Sequence, residues 1–220
     1  SSYYAHIMYN AEHTLLSRFY GIYTIKFPGR AAVRFLVINN VMYIPPEMRS
    51  AVHIAERYDL KGSVMKRYVG LTSSNATLKD LDFCDKHEGT TNSGEVFMAR
   101  EGECRKFHIG TLAGHLLLVN LRADAKWLEE RKIMDYSLLV GIGCFDRSQL
   151  PPDTIRESMD AQVEAFQSGG HPPVPNSWNR FLGGVQGHGL HDSLVYYLGI
   201  IDILQEFNMK KWCVGKKEDV

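Results

Sequence analysis

The sequence has little cysteine and no long hydrophobic run. Four of its 220 residues are cysteines (Cys84, Cys104, Cys144 and Cys213), and no two of them form a C-x-x-C pair. This scattered content excludes a small disulfide scaffold, and we expect reduced thiols in an intracellular protein. No apolar segment approaches the roughly 20 residues that a membrane-spanning helix requires.

The sequence also lacks an excess of either charge, with 25 Lys and Arg against 25 Asp and Glu. A net charge of zero gives no general attraction to polyanions, so we expect no nucleic-acid partner. Attraction to an anionic surface must then come from local patches. Hydrophobic residues make up 45% of the chain, which is enough for a real core. The length suits one generous domain or two small lobes that share a cleft.

The first 60 residues contain two strand-like segments and a proline-rich segment. FYGIYTIKF and AAVRFLVINNVMY are rich in β-branched and aromatic residues and are joined by Pro28 and Gly29. This pattern predicts a hairpin with a tight turn. The double proline in IPPEMRSAVHIAE breaks a sheet and predicts a connection between lobes.

Two later segments show the spacing of amphipathic helices. The first is TLAGHLLLVNLRADAKWLEE, and the second follows a capping box at residues 154–157 and continues to Phe166. The apolar face of the first helix is predicted to consist of Leu112, Leu116, Val119, Ala123 and Trp127.

Glycine, proline and histidine accumulate in QSGGHPPVPNSW and GGVQGHGLHD, which predict one long loop before the apolar strand SLVYYLGIIDILQEF. The glycines match neither G-x-G-x-x-G nor the Walker pattern, which favours a flexible loop over a phosphate cradle. His171, His188 and His191 lie in this loop. Beyond Asp192, no cysteine or acidic residue is at zinc-ligand spacing, so loop histidines are favoured over a zinc site.

Two aspartates interrupt apolar segments, Asp135 in IMDYSLL and Asp202 in GIIDIL. A buried, unpaired carboxylate costs several kcal/mol unless it finds a cation or shifts its pKa. Either residue alone suits a hydrogen-bonded structural aspartate equally well. Together they match phosphoryl transfer, in which one carboxylate orients or deprotonates the attacking hydroxyl and another holds Mg²⁺ on the nucleotide phosphates.

Basic residues cluster in two places. In RYDLKGSVMKR, cationic side chains surround Asp59 and a Gly-Ser turn, an arrangement that suits phosphate binding, although a solvated, salt-bridged turn looks the same. KKWCVGKK, residues 210–217, mixes lysines with Trp212 and Val214 and suits an anionic membrane surface, although a frayed terminus also fits.

In this order, RYDLKGS, IMDYSLLVGI and GIIDIL closely resemble the phosphatidylinositol phosphate kinases. TLLSRFYGIY, VRFLVINN, TLKDLDF and residues 124–128 resemble the same family at the same relative places, so the likeness covers nearly the whole chain. The resemblance implies that Asp135 is the catalytic-loop aspartate, which receives the proton of an inositol hydroxyl. It also implies that Asp202 is the Mg²⁺-binding aspartate. Asp59 and Lys61 match the active-site D-L-K-G-S motif, with Lys61 neutralising phosphate.

The resemblance assigns substrate and nucleotide contacts as well. Arg67, next to Lys66, matches a basic position that contacts the phosphate already on the lipid. Val37, Ile38 and Asn39 resemble the hinge that meets adenine through its backbone. Lys210 and Lys211 match the start of the specificity loop, which helps the enzyme choose its lipid and touch the membrane.

The chain departs from the family pattern at both ends. The family's glycine-rich strand pair, its ATP-binding lysine and the paired helical glutamate lie upstream of residues 3–6 and are absent from these 220 residues. SSYYAHIMYN has no initiating methionine, so we expect a fragment, and Val220 precedes most of the specificity loop. Gly143 stands where many members have histidine. We therefore expect a polypeptide of these residues alone to be inactive or nearly so.

The resemblance implies an α+β, two-lobed lipid-kinase fold like that of protein kinases. Residues 1–44 are expected to form the rest of an N-lobe with an antiparallel sheet, and residues 45–220 a mixed α/β C-lobe. The implied enzyme uses ATP and Mg²⁺, acts on a phosphatidylinositol monophosphate at the cytoplasmic face of the plasma membrane, and is a candidate homodimer. The segment YDLKGSVMKR, with Tyr58 and the Lys66-Arg67 pair, resembles the members that phosphorylate the 5-position of the 4-phosphate lipid, which implies that substrate and that acceptor position.

Two other functions remain as alternatives. A catalytically silent phosphoinositide-binding or scaffold module would keep the basic lipid site without nucleotide chemistry. A protein kinase is disfavoured, because the H-R-D-x-x-x-x-N loop is missing and the two aspartates are 67 residues apart.

Overall fold

The structure, a computed structural model, describes most of the chain. It covers residues 2–11, 13–63, 65–70, 76–84, 89–90, 96–97, 106–146, 178–179, 184–187 and 193–206. The predicted helix after residue 154, the loop histidines and the basic segment 210–217 lie outside the described residues. Within the described part, none of the helices combines the length and apolar character needed to cross a bilayer.

Three α-helices, one 3₁₀ turn and ten strands are described. The helices are α1 (Ser2–Tyr9), α2 (Asp80–Cys84) and α3 (Thr111–Glu130), and the 3₁₀ turn is Pro46–Met48. The strands are β1 (Phe19–Ile25), β2 (Val33–Ile38), β3 (Val52–Leu60), β4 (Thr77–Leu78), β5 (Gly89–Thr90), β6 (Val96–Phe97), β7 (Ser137–Phe145), β8 (Trp178–Asn179), β9 (Gly184–Gln186) and β10 (Leu194–Ile201).

A six-stranded sheet in the order β4-β3-β7-β10-β9-β8 forms the centre of the fold. Its strands pair in antiparallel fashion, except for the parallel pair of β3 and β4. The central strands β7 and β10 are apolar along nearly their whole length and buried on both faces. Long apolar strands without strict alternation are typical of such doubly covered sheets.

Successive side chains of β10 point to opposite faces of the sheet, so the strand contributes to two separate hydrophobic clusters. Tyr196, Leu198 and Ile200 belong to a large cluster that includes buried residues of α3. Val195 and Tyr197 face a smaller cluster around Met48. The chain between β2 and β3 therefore covers one face of the sheet, and α3 covers the other.

The predicted hairpin is confirmed as β1 and β2, which pair in antiparallel register from Ile25–Val33 to Phe19–Ile38. The turn lies at residues 28–30, and Gly29 has a φ of 71°, a left-handed conformation that glycine adopts without steric cost. The second strand ends at Ile38, earlier than its apolar pattern indicates. Most hairpin side chains are exposed, for example Ile22 at 75%.

The predicted helix over residues 111–130 is confirmed, but its predicted buried face is only partly right, because Trp127 is buried and Leu116 half-buried. Leu112, Val119 and Ala123 are exposed, whereas Leu117, Asp124 and Leu128 are buried. The buried face is therefore rotated by about one residue. The difference arises because a charged residue, Asp124, lies in the centre of the true interface.

Two strand boundaries also differ from prediction. The proline-rich segment was expected to be a connection, but β3 begins within it at Val52, because the prolines end before the alternating segment Val52–Ile54. Asp202 was expected inside a strand, but it directly follows β10.

The glycine-rich segment after residue 183 is not wholly a loop, because Gly184–Gln186 form β9 and pair with β10. A Cβ atom on Gly184 would lie 2.8 Å from the carbonyl oxygen of Tyr196. Glycine therefore permits close packing of two backbones here rather than flexibility. The Trp178 end of the other predicted loop segment is likewise in a strand, β8.

Candidate active site

Three strand ends meet at one edge of the central sheet. Because β7 runs antiparallel to both neighbours, its first residues lie beside the last residues of β3 and β10. The register pairs Leu60 with Leu138 and Ile201 with Ser137. The residues just beyond these pairs are Lys61, Asp135 and Asp202, so residues as much as 141 positions apart share one edge.

Backbone contacts beyond the sheet hold the two aspartates close together. The Met134 N–H donates to the carbonyl of Gln205 at 2.9 Å, and Ile133 forms an isolated antiparallel bridge with Glu206. Asp135 and Asp202 thus lie between these two contacts on one side and the Ser137–Ile201 pair of β7 and β10 on the other. Main-chain hydrogen bonds on both sides of the two aspartates thus keep these residues near each other.

Both aspartates have an uncommon backbone conformation, with a φ of 62° at Asp135 and at Asp202. Few residues other than glycine adopt this left-handed region, although asparagine and aspartate do so more often than the rest, and such positions cluster at functional sites. Both side chains are exposed despite the buried strands beside them. The carboxylates therefore face outward at the edge, where a ligand can reach them.

Lys61 reaches the same place from the end of β3. Its Nζ atom donates a hydrogen bond to the backbone carbonyl of Asp135 at 2.7 Å. This contact places a positive charge beside the segment that presents the Asp135 carboxylate. The edge therefore offers one ammonium and two carboxylates to a ligand.

The donor set at this edge fits a magnesium ion held with substrate phosphates. The Asp202 carboxylate is exposed, and no described residue donates a hydrogen bond to it. Mg²⁺ prefers hard oxygen ligands and is usually bound by one or two carboxylates plus phosphates. Among the described residues, no group of three or more His, Cys, Asp or Glu side chains could hold a metal by itself. Asp202 is the residue that would hold the ion.

Arg67 lies in a cluster with two carboxylates near Lys61. Its Nε atom donates to Asp80 Oδ2 and its Nη2 atom to Asp59 Oδ1, each at 2.8 Å, and Nη2 also contacts the Asp59 carbonyl. Its side chain is only 12% exposed. The structure thus places Arg67 and Asp59, both predicted site residues, in one ion-pair cluster. Contact between Arg67 and a lipid phosphate stays a prediction.

Asp80 is the residue that the sequence prediction missed. It lies in the first turn of α2 and accepts hydrogen bonds from the backbone N–H groups of Lys61 and Gly62, at 3.0 and 2.7 Å. Asp82 similarly accepts from Val69. The two aspartates of TLKDLDF therefore hold both ends of the loop between Lys61 and Gly70. Acidic residues opening a short helix were the available signal.

The remaining predicted contacts are spread more widely. Lys66 is exposed on the Lys61–Gly70 loop and has a φ of 54°. Val37 and Ile38 end β2, and the Asn39 N–H donates to the Arg18 carbonyl at 3.0 Å. The structure does not bring these hinge residues into direct contact with the sheet edge that carries Lys61, Asp135 and Asp202. Lys210 and Lys211 lie outside the described residues.

A cavity of about 290 Å³ opens beside the edge. Lys61 and Tyr136 line it on the sheet side, and Leu121 and Arg122 line it on the side of α3. It provides an apolar space with two cationic side chains, Lys61 and Arg122, next to this edge of the sheet.

Comparison of the sequence with known proteins identifies a family. A family model described as phosphatidylinositol-4-phosphate 5-kinase matches residues 1–214. Human phosphatidylinositol 4-phosphate 5-kinase type-1 beta is 34% identical over 230 residues, covering 95% of this chain and 38% of that protein. Human phosphatidylinositol 5-phosphate 4-kinase type-2 gamma is 28% identical over 242 residues, covering 96% of this chain and 52% of that protein.

A probable phosphatidylinositol phosphate kinase of Dictyostelium discoideum is 28% identical over 251 residues, covering 96% of the chain and 32% of that protein. The chain thus spans about two-fifths or less of the length of the first curated relatives it matches. The family model covers nearly all of the chain, and the segments RYDLKGS, IMDYSLL and GIID, which carry the resemblance, meet at one edge of the sheet. The chain belongs to the phosphatidylinositol phosphate kinase family.

Proposed function

We propose that the protein containing this chain transfers the γ-phosphate of ATP to an inositol hydroxyl of a phosphatidylinositol monophosphate. The observation that carries the proposal is the meeting of Lys61, Asp135 and Asp202 at one sheet edge, in a chain of this kinase family. One ammonium and two exposed carboxylates are the groups that in-line phosphoryl transfer requires.

The roles follow from chemistry and position. Asp135 orients the attacking hydroxyl and accepts its proton as the new oxygen–phosphorus bond forms and the bond between the γ-phosphorus and the leaving oxygen of ADP breaks. Lys61, hydrogen-bonded to the Asp135 carbonyl, offsets negative charge on the transferred phosphoryl group. Asp202 would hold Mg²⁺, which when bound would neutralise charge on the nucleotide phosphates.

Substrate binding is assigned to the surrounding basic and hinge residues. Lys66 and Arg67 bind the phosphate already on the lipid, with Arg67 using guanidinium N–H groups beyond those engaged by Asp59 and Asp80. Lys210 and Lys211 contact the anionic membrane surface. Asp59 orients Arg67 within the site.

Adenine meets backbone groups of Val37, Ile38 and Asn39. The Asn39 N–H already donates to the Arg18 carbonyl. The adenine contacts therefore use the other backbone groups of this segment.

The proposed reaction is phosphorylation of phosphatidylinositol 4-phosphate to the 4,5-bisphosphate. The supporting observation is the segment YDLKGSVMKR, which resembles the family members that phosphorylate the 5-position of the 4-phosphate lipid. The full enzyme is proposed to be a peripheral protein at the inner face of the plasma membrane, with two lobes divided near residue 44 and with a homodimer as its candidate assembly.

Product identification with the full-length protein tests this function. Vesicles containing each of the three phosphatidylinositol monophosphates are incubated with ATP and Mg²⁺, and the position of the new phosphate is determined. We expect the 4,5-bisphosphate from the 4-phosphate lipid as main product. Binding to these vesicles without phosphate transfer would contradict the proposal and favour a silent phosphoinositide-binding module.

A further inference from the structure

The side chain of Asp124 is buried in the middle of α3, yet it takes no part in the proposed chemistry. The residue is 1% exposed. Its Oδ1 atom accepts hydrogen bonds from His6 Nε2 at 2.9 Å and Thr14 Oγ1 at 2.8 Å, and its Oδ2 atom accepts from the Leu15 N–H at 2.7 Å. A carboxylate is costly to bury, so three donors converging on it indicate a demanding structural task.

Thr14 and Leu15 are the first residues of a segment that pairs with the end of β10. The Ile200 N–H donates to the Leu15 carbonyl at 2.7 Å, and the Ile200 carbonyl accepts from the Ser17 N–H at 2.9 Å and the Ser17 hydroxyl at 2.8 Å. Leu16 forms a parallel bridge with Ile200. The segment Thr14–Arg18 thus extends the pairing of β10 on its way to Asp202, which lies two residues beyond Ile200.

The other end of this segment holds the hinge. The Arg18 N–H donates to Asn39 Oδ1 at 2.7 Å, and the Asn39 N–H donates to the Arg18 carbonyl at 3.0 Å. The segment Thr14–Arg18 therefore connects the residue assigned to Mg²⁺ with the residues assigned to adenine. Mg²⁺ binds the phosphate end of ATP and the hinge binds its adenine end, so the segment joins the residues proposed to hold the two ends of one nucleotide.

We propose that Asp124 is a positioning residue for the nucleotide site, acting through the Thr14–Arg18 segment on Asp202 and on the hinge. It touches neither nucleotide nor lipid. By fixing Thr14 and Leu15 it sets the distance between the hinge and Asp202, and so the fit of the nucleotide with its metal. This inference rests on the proposed kinase function for its kinetic test, but its structural test does not.

Paired substitutions at Thr14 separate positioning from general stability. Thr14→Val keeps the shape of the side chain but removes the hydroxyl that donates to Asp124, whereas Thr14→Ser retains that donor. Asp124→Asn removes the charge at the acceptor. Val185→Ala is the control for destabilisation, because Val185 is buried in the same cluster but lies on β9, away from the segment.

The kinetic test uses the full-length enzyme, assayed at a temperature at which every variant is folded. Loss of a group that orients a metal ligand typically costs about 10- to 100-fold in metal affinity or activity. We expect Asp124→Asn and Thr14→Val to raise the KM for ATP and the Mg²⁺ concentration for half-activation about tenfold, with the KM for lipid nearly unchanged. Thr14→Ser and Val185→Ala should both keep the wild-type KM for ATP and the wild-type Mg²⁺ concentration for half-activation.

A structural test on the same full-length proteins needs no activity. Hydrogen exchange of backbone amides is measured over residues 14–18 and 198–206. We expect Thr14→Val to speed exchange in both segments together, and Thr14→Ser to leave both protected. Faster exchange only at residues 14–18, or equal kinetic changes in Thr14→Val and Val185→Ala, would overturn the inference. Coupled exchange in a protein without kinase activity would instead overturn the proposed function alone.

Discussion

Replacement of Asp80 by asparagine probes the loop that presents Lys61. Asp80 accepts the Arg67 Nε–H at 2.8 Å and the N–H groups of Lys61 and Gly62 at 3.0 and 2.7 Å. The Asp80 and Arg67 side chains are each 12% exposed, so solvent screens their attraction only in part. Hydrogen bonds to charged groups contribute about 1.5–3 kcal/mol, and asparagine keeps one acceptor oxygen. We therefore expect Asp80→Asn to lower the free energy of unfolding by about 2 kcal/mol.

The pH dependence of this loss has a definite sign. Burial opposes ionisation of Asp80, but hydrogen bonds from Arg67, Gly62 and Lys61 outweigh it, so the pKa of Asp80 in the folded protein lies below its ordinary value of 3.8. A lowered folded pKa stabilises the protein above the unfolded pKa, and that contribution is lost as pH falls through the folded pKa. The difference between wild type and Asp80→Asn should be constant from about pH 8 to pH 5 and shrink below about pH 4.

Urea unfolding followed by tryptophan fluorescence, at neutral pH and at about pH 3.5, measures this difference. Asp82→Asn is the matched control, because Asp82 accepts backbone N–H groups of Val69, Gly70 and Lys79 but forms no ion pair with a described residue. A loss in Asp80→Asn no larger than in Asp82→Asn at neutral pH would refute the reasoning. A loss that grows toward acid would refute it as well.

Two glycine substitutions should act in opposite directions in the same unfolding measurement. A Cβ atom on Gly143 would lie 2.9 Å from Val195 Cγ1 and 3.2 Å from the His53 carbonyl oxygen, so we expect Gly143→Ala to destabilise the protein by about 1–3 kcal/mol. A Cβ atom on Gly114 in α3 would meet ordinary contacts at 3.7 Å, so Gly114→Ala should stabilise it by about 0.5–1 kcal/mol. Equal effects at the two positions would show that the close contact at Gly143 is relieved without cost.

The elements that follow from local pattern could be predicted from the sequence. Local residue patterns determine three features: the apolar segments of β7 and β10, the hairpin turn at Gly29 and the length of α3. Each pattern lies within one strand, turn or helix, so it can be recognised without knowledge of distant contacts. The grouping of Asp135 with Asp202 follows from the two carboxylates that phosphoryl transfer requires. The antiparallel pairing of β7 with β10, which brings both residues to one edge, does not follow from the local pattern.

The parts that depend on distant partners could not be predicted in this way. Asp124 looks like a surface residue of an amphipathic helix until His6 and Thr14, more than 100 positions away, supply its hydrogen bonds. Asp80 likewise gains its role only when the Lys61 loop folds onto α2. Gly184 suggests a flexible loop, whereas its lack of a side chain permits contact with the Tyr196 backbone. In each case the local sequence fits both an exposed residue and a residue with a structural role, and only the tertiary contact shows which of the two is correct.

The central claim is that the edge formed by Lys61, Asp135 and Asp202 performs phosphoryl transfer. The most direct measurement is the rate of lipid phosphorylation by full-length Asp135→Asn and Asp202→Asn, with circular dichroism confirming the fold. Asp146→Asn, just beyond the opposite end of β7, is the matched control. We expect losses of about 100-fold or more in the first two variants and a near-normal rate in the control. Wild-type turnover in either Asp135→Asn or Asp202→Asn would contradict the account.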